Sequence, residues 1–182
     1  MEKDLKYRAL TCTEINKFSQ IDRTETIQAI YYERDGNLVL EQEHHAVPNW
    51  SPSEKERRIT ALQKVFDQGA TFVGAFDGDD LVGMSVLDHN LVASGNKRLN
   101  LAGLWVSHKF RGKGVGKALF QLAAQVARKR AAQALYVSAT PSENTVRFYK
   151  NLGCRRAEPI DPYLYEKEPE DIHLELILVQ SN

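Results

Sequence analysis

Residues 111–117 read Arg-Gly-Lys-Gly-Val-Gly-Lys. They stand between a strand-like run, Leu99 to Val106, and a helix-like run in which Val115, Leu119, Leu122 and Val126 keep a 3.6-residue period. No other segment restricts the fold as much. A glycine-rich turn that opens a helix aims several backbone N–H groups at one point, and with the helix dipole they form a receptor for phosphate. A plain strand-to-helix turn needs one glycine for its positive φ and no cations. Three glycines at alternate positions, flanked by Arg111, Lys113 and Lys117, exceed that need.

Two common phosphate motifs are excluded by spacing. A dinucleotide fingerprint requires Gly-x-Gly-x-x-Gly, and counted from Gly112 its third glycine falls on Lys117. A P-loop requires Gly-x-x-x-x-Gly-Lys-Ser/Thr. Arg111 stands where the first glycine must be, and Ala118 replaces the magnesium-binding hydroxyl. The motif also comes late in the chain, after a hairpin.

The rest of the pattern is mixed α and β. Lys6 to Leu10 is expected as a first strand, with helical signal from Thr13 to Phe18. Ile27 to Glu33 alternates, Asp35-Gly36 marks a hairpin turn, and Leu38 to Leu40 returns. A polar loop then leads to Pro48-Asn49-Trp50. Ser51-Pro52-Ser53-Glu54 is a helix start with a capping box and Pro at the first turn. Ile59, Leu62 and Phe66 give that helix one buried face, and it ends near Gly69. Thr71 to Phe76 and Leu81 to Leu87 form a hairpin about Asp77-Gly78-Asp79-Asp80. Asn90 to Lys97 reads as another turn region. Beyond the glycine-rich turn a helix runs to about Arg130, and Ala134 to Ala139 is a short strand. Thr140-Pro141-Ser142-Glu143 repeats the cap device of residues 51–54. The helix it opens carries Val146, Phe148, Tyr149 and Leu152, and Gly153 closes it. A polar segment rich in Pro and Glu precedes a last strand, Ile172 to Val179. The predicted sheet is built from hairpins and becomes β-α-β-α-β in its second half.

The chain has 182 residues, enough for one domain with a sizeable core. Lys+Arg and Asp+Glu both number 24, so there is no basic excess of the kind that drives nucleic-acid binding. No apolar run is long enough to cross a bilayer, and no signal peptide is evident. Cys12 and Cys154 form neither a disulfide framework nor a metal spacing. The expectation is a cytoplasmic protein without a nucleic-acid or membrane partner.

The turn resembles the glycine-rich signature of the GCN5-related N-acetyltransferase (GNAT) superfamily, Arg/Gln-x-x-Gly-x-Gly/Ala. It is met here as Arg111-Gly112-Lys113-Gly114-Val115-Gly116 after Leu104-Trp105-Val106-Ser107. A second element is similar too. Residues 142–154, Ser-Glu-Asn-Thr-Val-Arg-Phe-Tyr-Lys-Asn-Leu-Gly-Cys, resemble Asn-x-x-x-Phe-Tyr-x-x-x-Gly-Phe, with Cys154 for the usual Phe. Leu81-Val82-Gly83 resembles the family's third strand. The resemblance covers roughly residues 70–155 and is looser in the N-terminal third.

It implies an α+β GNAT-type fold: a mostly antiparallel twisted sheet, splayed between strands four and five and flanked by helices. It also implies a single domain over 1–182, with an acyl-CoA-binding core at about 70–155. The N-terminal part and the C-terminal strand would complete the acceptor side. The implied co-substrate is acetyl-CoA, with no metal. Its pyrophosphate would lie on the N–H groups of Gly112 to Gly116, with Arg111, Lys113, Val115 and Lys117 around it. The helix N-terminus adds about 0.3–1 kcal/mol. The pantetheine arm would run beside Leu104 and Val106, where a bulge leaves an N–H to polarise the thioester carbonyl.

Acetyl transfer to an amine requires removal of a proton, which for a lysine-like amine at neutral pH costs about 4–5 kcal/mol. It also requires stabilisation of the carbonyl oxygen and protonation of the leaving thiolate. By the resemblance Tyr149 is the acid beside the sulfur, and Asn144 contacts CoA. On helical spacing alone Tyr149 is a core residue and Asn144 a cap or turn residue. Many family members carry a Glu eleven residues before the signature Arg/Gln; here that position is Asn100, which is no base. Waters, Glu41, Glu43 and His44 are alternatives. Glu41-x-Glu43-His44-His45 lacks the spacing of a zinc site and reads as a solvated loop. Trp50, Tyr31 and Tyr32 lie where the family builds its acceptor pocket, although such aromatics also serve as core. His108 is expected to be exposed, and Tyr163 and Tyr165 to precede the last strand on the acceptor side. Two functions stand: an N-acetyltransferase acting on a primary amine of a small molecule or peptide, and a non-catalytic acyl-CoA-binding module. A homodimer sharing the last strand as an edge is compatible with both.

Overall fold

The computed structural model describes residues 5–92 and 97–178. In chain order it contains β1 (Lys6–Ala9), a 3-10 helix (Cys12–Gln20), β2 (Glu25–Arg34), β3 (Asn37–Val47), α1 (Pro52–Asp67), β4 (Thr71–Asp77) and β5 (Asp80–Leu91). There follow β6 (Arg98–Val106), a 3-10 turn (His108–Phe110), α2 (Val115–Lys129), β7 (Ala134–Ala139), α3 (Glu143–Asn151), β8 (Arg155–Arg156), α4 (Pro162–Lys167) and β9 (Ile172–Ile177). The pairs β1–β4, β4–β5, β7–β9 and β8–β9 are antiparallel, and β6–β7 is parallel. This is the mixed α+β class with a mostly antiparallel sheet that the sequence predicts. Two compact units divide the chain. The first takes Met1–Thr24, Pro48–His89 and Leu101–Val126; the second takes Glu25–Val47, Asn90–Asn100 and Ala127–Asn182.

In the first unit the strand order is β1-β4-β5-β6, and each sheet face meets helix. Phe72 and Phe76 of β4 join Leu81, Met84 and Val86 of β5 against Ile15 and Phe18 of the 3-10 helix and Leu62 of α1. Val73, Ala75 and Val82 face the other way, onto Val115 and Leu119 of α2. Leu81 and Met84 share a face although three residues apart. The register slips where Ala75 faces Gly83 but Phe76 faces Leu81, so Val82 is the extra residue of a bulge. Each large apolar side chain buried here contributes about 1.5–3 kcal/mol. The predicted capping box of α1 is formed: Ser51 Oγ accepts from Glu54 N (3.3 Å), and Ser51 N donates to the Glu54 carboxylate (2.7 Å).

In the second unit the order is β6-β7-β9-β8, with β2 and β3 as a separate hairpin. The parallel ladder pairs Arg98 with Ala134, Leu99 with Leu135 and Asn100 with Tyr136. Arg98 is fully buried, donating to Glu175 (3.2 Å) and to the carbonyl of Pro159 (2.8 Å), while Arg155 reaches the same carboxylate at 3.1 Å. Tyr136 Oη lies 2.9 Å from His173 Nδ1 and accepts from Asp161 N at 3.1 Å.

Four expectations are corrected. Residues 41–47 are not a polar loop: β3 continues to Val47 because β2 begins at Glu25 and supplies backbone partners out to Glu25↔Val47. Glu43, His44 and His45 therefore stand on a strand. The cap of α3 is Ser142, which accepts from Thr145 N (3.3 Å), and not Thr140. The Pro141 carbonyl accepts from Tyr31 N (2.8 Å) and Ser142 bridges Ile30, which keeps residues 141–142 extended. The segment before the last strand contains α4, opened by Asp161 with Pro162 behind it. β9 lies between β7 and β8, so the edge belongs to two-residue β8. Of the expected turn at 90–97 and strand at 172–179, residues 93–96 and Val179 lie outside the described residues.

Candidate functional site

The glycine-rich turn is fastened before it opens. Ser107 N donates to the Val82 carbonyl (2.8 Å), and His108 N and Nδ1 donate to the carbonyls of Asp22 (2.8 Å) and Thr24 (2.9 Å). The Arg111 side chain is spent on main chain: Nε donates to Val106 O (2.9 Å), Nη2 to Arg23 O (2.9 Å) and Nη1 to Thr24 O (3.2 Å). Arg111 thus ties the end of β6 and residues 23–24 to the first residue of the turn, a positioning task that the sequence motif did not distinguish from charge.

Past Arg111 the chain turns left-handed at Gly112 (φ +73°) and Gly114 (φ +81°), conformations that suit glycine. A Cβ at either would meet no protein atom within 4 Å. The first bond of α2 comes from Ala118 N to Gly114 O (3.0 Å), and among the described residues the N–H groups of Gly112 to Lys117 have no protein acceptor. Val115 is buried in the core beneath, which fixes the direction of the helix. Lys113 and Lys117 are exposed, and the Lys113 ammonium lies 5.6 Å from the Phe110 ring centre. Six donors in succession at a helix N-terminus are the chemistry that an anion requires.

The strand feeding the turn is equally constrained. Leu104 and Val106 pack toward α2. Trp105 turns to the opposite face, edge-on to Phe18 at 5.2 Å. A Cβ at Gly103 would stand 2.0 Å from the Trp105 ring, so that indole lies over Gly103 only because the residue is glycine. The three pairs of the β6–β7 ladder use Arg98 to Asn100, and Leu104 and Val106 come later in β6.

In the second unit α3 carries the other predicted residues. Asn144 sits in its first turn and donates from Nδ2 to Glu25 Oε1 at 3.5 Å. Tyr149 is 6% exposed, edge-on to Phe148 at 5.0 Å, and its carbonyl accepts from Cys154 N at 3.1 Å. Burial drives the Tyr149 hydroxyl far above the ordinary range of tyrosine, with Cys154 and Asp171 adding to the shift. Burial also raises the Cys154 thiol to about 12 and, with Glu168 and Glu170, the Asp171 carboxyl to about 6. Tyr149 is therefore protonated at any working pH. Asn100 Oδ1 is buried without a hydrogen-bond partner among the described residues.

The alternative bases lie on the β2–β3 hairpin with Tyr31 and Tyr32, each engaged locally. Glu43 is bonded to the Tyr32 hydroxyl and to His45 Nε2 (2.7 Å), Glu41 to Arg34 (2.5 Å), and His44 Nδ1 lies 3.1 Å from Gln28 Oε1. Lys150 lies over the Tyr31 ring. Tyr163 and Tyr165 are exposed, and Trp50 is buried against Phe18. Among the described residues no three His, Cys, Asp or Glu side chains gather as a metal site, and no helix is long and apolar enough to cross a membrane.

The model of the acetyltransferase (GNAT) family matches residues 25–154. In structure the chain is similar to a nourseothricin acetyltransferase, at 20% identity and TM-score 0.70 over 96% of this chain and 99% of that one. It is also similar to a putative streptothricin acetyltransferase from Bacillus anthracis in complex with acetyl coenzyme A, at 18% identity and TM-score 0.66 over 98% and 100%. The ribosomal-protein-S18-alanine N-acetyltransferase of Escherichia coli aligns at 15% identity and TM-score 0.64 over 98% and 97%. At these identities the likeness is one of fold. No curated protein matches the chain in sequence.

Proposed function

The chain belongs to the acetyltransferase (GNAT) family, and from that premise we propose that it transfers the acetyl group of acetyl-CoA to a primary amine of a small molecule or peptide. The observation that carries the proposal is the run of six N–H groups, Gly112 to Lys117, without protein acceptors above two left-handed glycines. They suit a pyrophosphate, and a solved relative of this fold is described with acetyl coenzyme A. Lys113 and Lys117 add charge beside them. Leu104 and Val106 are assigned to the pantetheine arm on the family pattern.

Chemically, the amine attacks the thioester carbonyl, a C–N bond forms and the C–S bond breaks. Tyr149, buried and protonated, is assigned the proton that the thiolate takes. Asn144 is assigned to coenzyme contact on the same pattern. Residue 100 supplies no base, so the amine's proton leaves through water or enters already lost to solvent. Its Oδ1, buried and unpartnered, suits a hydrogen-bond acceptor rather than a proton acceptor. Asn100 also favours a second reading, an acyl-CoA-binding module without turnover.

Calorimetric titration with acetyl-CoA, followed by thiol release across a panel of primary amines, tests both. Binding with amine-dependent thiol release supports the transferase. Binding without release across the panel supports the module, and no binding removes both.

A further inference from the structure

Around Trp50 the first unit gathers positive charge that no carboxylate among the described residues pairs with directly. The guanidinium of Arg58 lies 4.8 Å from the indole centre and that of Arg23 lies 5.1 Å from it. Trp50 itself is fixed, buried and packed on Phe18 with ring centres 4.9 Å apart. Neither arginine forms an ion pair among the described residues. Arg57 is a third guanidinium in the same field. The carboxylate that both stacked arginines feel is Glu54, and its Oε2 is held in the capping box by Ser51 N (2.7 Å) and Ser51 Oγ (2.8 Å). Lys55 donates to Ser19 O at 2.5 Å.

Stacking on one indole stabilises each cation modestly. That does not explain why two like charges are brought to the same ring, where Arg23 and Arg57 oppose the charge on Arg58. Donors are also in excess. Arg23 uses Nε on the Pro48 carbonyl (3.0 Å), and its Nη atoms have no protein acceptor among the described residues. The same is true of all the Arg58 donors, and Trp50 Nε1 is buried without an acceptor. The backbone of Arg23 is held from both sides, its N–H by Asn49 Oδ1 (3.3 Å) and its carbonyl by Arg111 Nη2 (2.9 Å). It is therefore preorganised, through Arg111, against the base of the glycine-rich turn.

We propose that Arg23 and Arg58, stacked on Trp50, form a second anion-receiving site for a phosphate or carboxylate carried by one of the two substrates. That a substrate carries the anion rests on the acetyl-transfer function proposed above; the anion chemistry does not. The sources are the coenzyme's 3′-phosphate and a carboxylate on the acceptor amine.

The test is a titration of the isotopically labelled full chain, following the Arg23 and Arg58 Nε–Hε resonances together with the Gly112 and Gly114 amides. The probes are inorganic phosphate, acetyl-CoA, 3′-dephospho-acetyl-CoA, and the pair lysine and cadaverine. Phosphate is expected to shift both arginine resonances saturably, and Arg58→Gln to weaken that binding by at least about fivefold. Arg58 is exposed, so this variant tests the site without threatening the fold. A preference for acetyl-CoA over its dephospho form that collapses in Arg58→Gln identifies the coenzyme as the source. A preference for lysine over cadaverine that collapses identifies the acceptor. Absence of a saturable arginine response to every probe, or a response unchanged in both Arg58→Gln and Arg23→Gln, overturns the site. Glycine amides that respond to acetyl-CoA while the arginines stay silent to every probe would sink this site and leave the transferase standing; arginines that respond to phosphate while the glycine amides ignore acetyl-CoA would do the opposite.

Discussion

Arg111 Nη2 donates to the carbonyl of Arg23 at 2.9 Å, so the residue that begins the glycine-rich turn also anchors a segment eighty-eight positions earlier in the chain. Two further carbonyls, Val106 and Thr24, accept from the same guanidinium. One planar group with five donors satisfies three carbonyls that converge on it, which an ammonium cannot do in fixed geometry.

Arg111→Lys should therefore fail to rescue what Arg111→Ala loses. Bonds from a charged donor are worth about 1.5–3 kcal/mol when buried, less here because the side chain is half-exposed, so a loss of about 1–2 kcal/mol is expected for Ala. Lys should recover less than half of it, and acetyl-CoA affinity should fall in both. Urea midpoints and calorimetric titration measure the two effects. Full recovery of stability by Lys would mean that the three-carbonyl clip is not what holds the turn.

Gly114→Ala separates the cradle from the fold. An alanine at φ +81° costs about 1–2 kcal/mol, partly offset by a stiffer unfolded chain. Its Cβ would touch no protein atom, so the protein should stay folded with a slightly lower urea midpoint. Affinity for acetyl-CoA should drop at least about tenfold, because the Cβ would stand where the pyrophosphate is proposed to approach. Unchanged affinity would remove the turn from the binding site.

Several elements were legible because local chemistry decided them. β7 matches the apolar run Ala134–Ala139 residue for residue, and α1 begins at its capping box. The turn's donors were legible from its glycines. β3 was legible only from Leu38 to Leu40, because Glu41 to Val47 is polar and takes its strand geometry from pairing with β2, a long-range fact. The Ser142 cap was displaced for a related reason: two bonds from the β2 hairpin hold residues 141–142 extended. α4 did carry a signal, Asp161 before Pro162, masked by the surrounding glutamates. The task of Arg111 and the stacking of Arg23 and Arg58 on Trp50 join residues far apart in sequence, and no local pattern announces them.

Tyr149→Phe should lower kcat by about two orders of magnitude, the usual scale of a positioned proton donor, while leaving the acetyl-CoA dissociation constant within about twofold. Because burial raises the hydroxyl far above its ordinary range, deprotonation of Tyr149 should not limit the alkaline side of the wild-type profile. Any rise of rate with pH then reports the acceptor amine. Full kcat in the Phe variant with a true acceptor would move the acid role elsewhere.

Asp171 should give the protein an inverted acid response. Burial first, and then Glu168 and Glu170, raise its carboxyl from 3.8 to about 6. A carboxyl raised on folding binds its proton more tightly in the native state than in the unfolded chain. Between pH 3.8 and about 6 the native state therefore holds more protons, and stability falls as pH rises through that window. Glu14 acts in the opposite sense and lower down: bonded to Arg8, its carboxyl is lowered to about 2, and its contribution is lost as pH drops from 4.5 toward that value. The two are thus separable. Asp171→Asn should be more stable than wild type at pH 7, by no more than about 1–2 kcal/mol once solvent screening of a part-exposed group is allowed for. The gain should shrink as pH falls from 6 toward 4, and the cost of Glu14→Gln should shrink, in the opposite sense, as pH falls from 4.5 toward about 2. Urea midpoints at half-unit pH steps would reveal both slopes. A constant difference between Asp171→Asn and wild type across pH 4 to 7 would show that this carboxyl is not raised.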